Sequence, residues 1–497
     1  MGEIRPRWEW RSFGDRFPSA EARLASLEPS GVQDSDELYL LNAEGDNVKV
    51  RDALMDIKVL KQVGARGLEQ WTPVMKQSFP LPAAEASAVL GALRRPVPAT
   101  LQPGYTLEAF LAAFTGPGRA VRAVRVHKRR VRYTICGCMA EFSDVIADGH
   151  PTRTIAVEAE DADAVLAAVR ELGLQDHLNT SYPRGLAALI DGVPPRYAVI
   201  DVGTNSVKFH VGERQPGGGW RTVIDRADVT RLGEGLGSEG RIAPAAIERT
   251  AAAIRGMVEE ARAAGARAIA AVGTAGLRMA PNRDEALAAF EAASGIAVEV
   301  ISGEEESRLA YLATVAGLGT GTGPVVVFDT GGGSSQFTFG HGARIDERFS
   351  VDVGAVRYTE RYGLDRAVSA EVLQQALAAI SQDLSRLDGR AAPAALVGMG
   401  GAITNITAVR HGLATYDPAK VQGTVLERAE IDRQLEMYRS RDADARRAIV
   451  GLQPKRAEVI LAGACIVRTV MEMLGQSSLT VSDRGLRHGV LEERYGS

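Results

Sequence analysis

The distribution of apolar and polar positions changes character once along the chain, near residue 191. Before it, apolar side chains alternate with charged ones, as in Val48-Lys49-Val50-Arg51 and Arg125-Val126-His127-Lys128-Arg129-Arg130-Val131-Arg132-Tyr133. A period of two sends successive side chains to opposite faces, so these runs predict half-polar β-strands. Strands are expected over 37–41, 47–52, 71–79, 123–138, 139–147 and 152–160. A helix over 161–172, capped by Asp161 or Asp163, should follow. The alternation places the charges on one face, and two arrangements fit. One is the solvated face of an antiparallel sheet. The other is a barrel whose basic residues point inward around an anion.

The turn-rich segment Gly192-Val193-Pro194-Pro195-Arg196 marks a boundary. Beyond it, uninterrupted apolar runs at 197–202, 268–272, 298–301 and 325–329 alternate with Ala-rich segments of helical length at 244–264, 283–294, 303–318 and 369–387. Strand–helix alternation of this kind predicts α/β domains with buried sheets.

Composition adds limits. Hydrophobic residues make up 45% of the chain and charged residues 24%, as in ordinary globular proteins. The 58 Lys and Arg against 62 Asp and Glu give a net charge of −4. That balance argues against nucleic-acid binding and confines any anion site to a local basic feature. Three cysteines do not build a disulfide framework and point to a reducing compartment. Cys136 and Cys138, one residue apart, read as strand residues. The N-terminus has no apolar signal core and no stretch approaches a membrane span, so a cytoplasmic protein with no membrane partner is expected.

Two strand ends carry the candidate chemistry: Ala198-Val199-Ile200-Asp201-Val202-Gly203-Thr204-Asn205-Ser206 and Val326-Val327-Phe328-Asp329-Thr330-Gly331-Gly332-Gly333-Ser334-Ser335. Each is an apolar strand, an Asp, a small residue, a glycine, then hydroxyl or amide residues. Glycine lets backbone N–H groups approach phosphate oxygens, Ser and Thr add donors, and Asp can hold Mg²⁺. Two copies about 130 residues apart imply a duplicated phosphate clamp.

These loops resemble phosphate-1 and phosphate-2 of the actin, Hsp70 and sugar-kinase superfamily. The surrounding words resemble the exopolyphosphatase / guanosine pentaphosphate phosphatase (Ppx/GppA) family. Asp201 to Ser206 looks like its D-x-G-S/T-N-S opening, Thr274 to Arg278 like its T-x-x-x-R segment, and Ser302 to Leu309 like its SGxEEARL segment. Gly398-Met399-Gly400-Gly401-Ala402 and Ser482-Asp483-Arg484-Gly485-Leu486-Arg487-His488-Gly489 match the later glycine loop and the C-terminal signature. The resemblance implies two actin-like, ribonuclease H-like lobes at 197–322 and 323–497, and hydrolysis of inorganic polyphosphate or guanosine pentaphosphate. It further implies Mg²⁺ or Mn²⁺ as cofactor and a homodimer. It makes Glu306 the group that aims or deprotonates water, assigns Asp201 and Asp329 to the metal, and gives Arg278 to a phosphate. Gly203, Thr204, Asn205, Ser206, Gly331, Gly332, Gly333, Ser334 and Ser335 become the clamp. Arg231, in Arg231-Leu232-Gly233-Glu234-Gly235-Leu236, fits either a substrate contact or a surface loop. The chain ends soon after the C-terminal signature, where longer relatives are expected to continue into a helical HD-like domain.

One departure bears on catalysis. The family's G-G-G-S-T-E reads Gly331-Gly332-Gly333-Ser334-Ser335-Gln336 here. Gln336 can orient water but cannot take a proton or offer a negative metal ligand. A smaller departure is His488, where the family has Glu. Residues 1–190 resemble the CYTH, or triphosphate tunnel, family, an antiparallel α+β barrel. That resemblance makes Lys49, Arg51, Lys58, Lys76, Lys128, Arg130 and Arg132 anion-binding. The metal motif E-x-E-x-K is degraded to Arg7-Trp8-Glu9-Trp10-Arg11, which favours binding over cleavage there. Two other functions fit the same features: a kinase of the superfamily with an adenosine pocket at the Gly398–Ala402 loop, and a non-catalytic polyphosphate or alarmone sensor.

Overall fold

The alternating stretch before residue 191 forms eight antiparallel strands that close on themselves. They are β1 (Arg7–Gly14), β2 (Gly31–Leu41), β3 (Asn47–Arg51), β4 (Leu54–Val63), β5 (Glu69–Ser78), β6 (Arg122–Ile135), β7 (Cys138–Ala147) and β8 (His150–Ala159). Their order is β1-β8-β7-β6-β2-β3-β4-β5, with β5 returning to β1, so the inward and outward parities of each strand are fixed by closure. The computed structural model describes residues 5–42, 45–116, 121–216, 218–234, 240–318, 323–342 and 344–496.

β1 and β4 add to the expected strands. β4 escapes a period-two reading because its register shifts at Ile57/Lys58 and again at Leu60/Gln62. The run expected as a single strand over 123–138 ends at Ile135, because Cys136 and Gly137 both take positive φ (49° and 75°) in a two-residue hairpin turn. Cys136 is therefore an exposed turn residue, whereas Cys138 is buried at the start of β7. The helix α1 (Ala162–Glu171) is capped by Asp161, whose carboxylate accepts from Asp163 N.

The alternation in β6 puts charge on both faces. Lys128 and Arg130 are buried inside, while Arg125, His127 and Arg129 are exposed outside. Inside, the residues sort by height. One end is apolar, with Phe13, Tyr39, Leu41, Val124, Val126, Val145 and Ala147 packed on Tyr182 and Leu186 of α2 (Tyr182–Ile190). The other end is charged.

The later half holds two sheets. One contains β9 (Arg196–Val202), β10 (Ser206–Arg214), β11 (Trp220–Val229), β12 (Ala266–Gly273) and β13 (Glu299–Val300), in the order β11-β10-β9-β12-β13. The other contains β14 (Pro324–Thr330), β15 (Ser335–His341), β16 (Arg344–Val351), β17 (Ala395–Met399), β18 (Val425–Glu427) and β19 (Ser478–Val481), in the order β16-β15-β14-β17-β19-β18. Apart from the added β18, both read 3-2-1-4-5, which is the duplication that the paired loops implied. The helices used below are α3 (Pro244–Ala263), α4 (Ala275–Met279), α5 (Arg283–Ser294), α6 (Gly303–Leu318), α7 (Ala355–Tyr362), α8 (Ala370–Asp383), α9 (Gly401–His411) and α10 (Ile460–Met473). The segment expected as one helix over 369–387 is α8 plus a short 3₁₀ turn at Ser385–Leu387. Eleven of the fourteen residues of α10 are buried, as for a helix with no solvent face. No helix among the described residues is long and apolar enough to cross a membrane.

Contacts divide the chain into two units. The first is Met1–Ile200, Val211–Ala271 and Pro281–Val298; the second is Asp201–His210, Val272–Ala280 and Glu299–Ser497. Within the first, the stretch after α1 pairs along β12: Leu178 N donates to Arg267 O and Ile269 N to Asp176 O, both at 2.8 Å. The barrel is thus joined to its sheet by backbone hydrogen bonds. Both Asp-Gly turns, the Arg278 segment and Glu306 belong to the second unit.

Candidate functional site

The two glycine turns close in the same way. Between β9 and β10, Gly203 N donates to Ser206 O at 3.1 Å; between β14 and β15, Gly331 N donates to Ser334 O at 2.9 Å. A Cβ on Gly203 would lie 2.8 Å from Ser206 O, and one on Gly331 3.3 Å from Ser334 O. Close approach of the backbone requires glycine at 203 and leaves little room at 331. Thr204, Asn205, Gly331 and Gly333 are exposed, and Gly203, Ser206, Gly332 and Ser334 are half-buried. Ser335 is different. Its buried hydroxyl donates to Val353 O at 2.6 Å, so it braces the turn and does not face a ligand. The second turn also rests on α7, where Ala355 N donates to Gly331 O and Val356 N to Gly332 O.

The two aspartates both act on the charge of a residue that no motif contains. Lys208 Nζ lies 3.3 Å from Asp201 Oδ2. Asp201 holds its ammonium above the ordinary range against the effect of burial, and Asp329 adds to this. Burial raises the Asp329 carboxyl, Lys208 opposes, and Asp201 raises it further. Asp201, Lys208 and Asp329 therefore share one field. A lysine two residues past the turn was the available sequence signal for Lys208.

The helix α6 separates its three acids by direction. Ser302 Oγ accepts from Glu305 N at 3.0 Å. Glu304 pairs with Arg348 at 2.9 Å and Glu305 with Arg308 at 2.6 Å. Glu306 instead accepts from Arg278 Nη1 at 2.8 Å, and the same nitrogen donates to Ile301 O at 3.0 Å. Burial pushes the Glu306 carboxyl above its usual range, Arg278 opposes this, and Asp201 adds to it. So Arg278, expected on a phosphate, is found on Glu306. Gly489, in the C-terminal signature, packs so closely on α6 that a Cβ would lie 2.2 Å from Leu309 O, which fixes the helix that carries Glu306.

The later glycine loop packs against the metal candidate. Gly400 has φ 95°, and a Cβ there would sit 2.2 Å from Asp329 Oδ1. Arg456 covers the next residue, where a Cβ on Gly401 would meet Arg456 Nη2 at 2.5 Å. Burial lowers the Arg456 guanidinium, and Asp329 opposes that. Arg456 lies in a 3₁₀ turn far along the chain, and nothing local in the sequence points to it. Gln336 pairs with Asp329 across the β14–β15 hairpin and shares its face. Its amide donates to Ser334 Oγ at 2.8 Å. His488 Nδ1 accepts from Gly485 N at 3.2 Å. Arg231 belongs to the first unit and is exposed with φ 51°; Gly235 and Leu236 of its phrase lie outside the described residues.

In the barrel, a cavity of about 240 Å³ is lined by Arg11, Lys49, Arg51, Lys58, Lys128, Arg130 and Arg132 together with Glu9, Asp56, Glu141 and Glu158. Its floor is the stacked pair Tyr39 and Tyr182, 5.1 Å apart, so it is a pocket closed at the α2 end. Lys76 does not line it. β5 pairs with β1 only through Glu69–Trp71, and Lys76 lies beyond that, paired with Asp56 of β4, and is exposed. Arg11 takes a place in the lining that only barrel closure reveals.

A family model described as the Ppx/GppA phosphatase family matches residues 211–496. The chain belongs to the Ppx/GppA phosphatase family. It is a phosphoanhydride hydrolase, as are the members it matches. It is 30% identical over 318 residues to exopolyphosphatase 2 of Mycobacterium tuberculosis, covering 59% of this chain and 97% of that protein. It is 30% identical over 303 residues to the guanosine-5'-triphosphate,3'-diphosphate pyrophosphatase of Photobacterium profundum, covering 61% and 59%. The crystal structure of the Aquifex aeolicus Ppx/GppA phosphatase superposes with a TM-score of 0.55 at 31% identity, covering 61% of this chain and 99% of that one. This gives the later half its actin-like Ppx/GppA fold; the barrel lies outside these matches. The family's metal is testable on the residues present. Asp329 makes no ion pair or side-chain hydrogen bond among the described residues and shares its field with Asp201. One or two carboxylates suffice for Mg²⁺ when substrate phosphates and water complete the shell, so this pair fits.

Proposed function

We propose that the second unit removes the terminal phosphate of inorganic polyphosphate, with guanosine pentaphosphate as a second substrate, by in-line attack of water that Glu306 orients and deprotonates. The carrying observation is Glu306 itself. Of the three adjacent acids it alone turns toward Asp201 and Lys208, and its raised affinity for a proton suits a base. Gly203 to Ser206 and Gly331 to Ser334 offer N–H and hydroxyl donors to non-bridging oxygens. Lys208 supplies positive charge between the two aspartates, and Arg278 fixes the Glu306 carboxylate. Asp201 and Asp329 would hold Mg²⁺, with Mn²⁺ as the substitute; when bound, the ion neutralises phosphate charge. We assign residues 1–190 to a polyphosphate-holding barrel that raises the local substrate concentration for 197–322 and 323–497.

The kinase alternative is disfavoured by Arg456, which caps the turn an adenosine pocket would use. The sensor alternative draws on Gln336 and on the degraded motif Arg7-Trp8-Glu9-Trp10-Arg11. Phosphate release from polyphosphates of graded length, with guanosine pentaphosphate alongside and no nucleotide present, tests the reading; no release from any of them would refute it. Gln336→Glu should lower the Mg²⁺ concentration for half-activation by about tenfold, since a carboxylate beside Asp329 adds a negative ligand. A metal titration of the rate measures this, and an unchanged midpoint would separate position 336 from the metal.

A further inference from the structure

The resemblance of residues 1–190 to the triphosphate tunnel family implies a divalent ion inside the barrel, and the carboxylates present do not fit one. Each already faces a cation. Glu9 lies 2.9 Å from Arg11 and 3.9 Å from Lys58. Glu158 lies 3.1 Å from Arg7 and 3.9 Å from Lys58. Asp56 is 3.7 Å from Arg51, and Glu141 is 4.0 Å from Arg11. Among the described residues, no three carboxylate, His or Cys donors of the barrel converge closely enough to share an ion. Burial raises the Glu9 carboxyl, yet Arg11 and Lys58 together outweigh it and leave it lowered.

The cations, by contrast, are built in and in excess. Lys128, whose side chain is 2% exposed, is anchored by Glu37 at 2.9 Å and by the Tyr39 hydroxyl at 2.7 Å, with its ammonium 3.7 Å from the Tyr182 ring centroid. Arg130 is 5% exposed. It reaches Ser35 at 2.7 Å and Glu37 at 3.4 Å, yet its Nε has no hydrogen-bond partner, and neither does Arg132 Nε. Buried N–H groups without acceptors are costly, so a ligand that supplies oxygens there would be stabilised. Seven bases line the pocket against four acids, with Glu37 behind them as a fifth, which still leaves net positive charge for an anion.

We infer that the barrel pocket binds the end of a linear phosphoanhydride chain through its arginines and lysines alone, without a divalent ion, and does not cleave it. The choice of ligand rests on the proposed polyphosphate activity of the second unit; the metal independence rests on the pocket. Metal-assisted cleavage would require a carboxylate free to hold the ion, as Asp329 is in the second unit, and each one lining the pocket already faces an arginine or lysine.

The test uses the full chain carrying Glu306→Ala, so that the ligand is not consumed, titrated calorimetrically with tripolyphosphate. Affinity in EDTA should stay within about threefold of that in Mg²⁺, and should weaken steeply with salt, as phosphate contacts do. Adding Arg132→Gln with Arg51→Gln, both at half-exposed lining positions, should weaken EDTA-resistant binding by at least about tenfold with the melting temperature retained. Adding Asn205→Ala, in the second unit's loop, should not weaken it. Three results would overturn the proposal: binding abolished by EDTA, EDTA-resistant binding lost with Asn205→Ala and kept in the double arginine variant, or Mn²⁺-dependent phosphate release that survives Glu306→Ala and vanishes in the double arginine variant. Failure of the wild-type chain to release phosphate would strike the hydrolase reading and leave these barrel measurements to be judged separately.

Discussion

Replacing Glu306 by glutamine is expected to lower kcat for phosphate release by about 10²–10⁴-fold, the usual worth of a positioned general base. KM should change little, because the phosphate contacts proposed above come from the two glycine turns and Lys208 rather than from this carboxylate. Glutamine keeps the shape and can still accept from Arg278 Nη1, which Glu306 engages at 2.8 Å, so the fold should survive. The pH profile gives an independent readout. A base works only when deprotonated, and burial places the Glu306 carboxyl above its ordinary value. In the wild-type enzyme, the rate should therefore fall as pH drops through a point above 4.5. Arg278→Ala removes the group that opposes the rise, so it should move this acid limb to still higher pH. Glu306→Gln should abolish the limb. Steady-state kinetics across pH would settle it; an acid limb unchanged in Glu306→Gln would assign the base to another group.

The largest effect on stability is expected at Arg446. It is completely buried and bonded to main-chain carbonyls: Nε to Tyr438 O at 2.9 Å, Nη1 to Leu364 O at 2.6 Å and Ala457 O at 3.3 Å, and Nη2 to Arg366 O at 3.0 Å. One guanidinium thus satisfies four carbonyls from separate parts of the second unit. Truncation to alanine leaves these acceptors without donors and opens a cavity, a loss on the order of 4 kcal/mol. Lysine should rescue little, since one ammonium cannot span the same fork. The measurement can separate the units, because all four tryptophans, at 8, 10, 71 and 220, lie in the first. Arg446→Ala should lower the denaturant midpoint seen by far-UV circular dichroism and leave the tryptophan fluorescence midpoint in place. Equal shifts in both would mean that the two units unfold together.

Read by itself, the sequence determined what is local. An Asp, a small residue and a glycine at the end of a buried strand already specify a tight turn, because only glycine tolerates a backbone oxygen as near as Ser206 O lies to Gly203. The repetition of that phrase foretold two sheets of like order, and the acidic start of α6 held Glu306. The family followed from these words, since each is a short run whose geometry needs no distant partner. Tertiary structure alone decided what meets what. Lys208 became the link between Asp201 and Asp329, Gly400 came to rest on Asp329, Arg456 covered Gly401, Arg278 turned to Glu306, and Ser335 turned inward to Val353. In the barrel, period-two alternation fixed that successive side chains part to opposite faces but not which face lies inside, and β6 carries charge on both. Closure set that parity, bringing Arg11 into the pocket, and Lys76 is left exposed on β5 beyond its pairing with β1. Such pairings depend on strand order and register, which join residues separated by tens to hundreds of positions and leave no periodic trace in the chain.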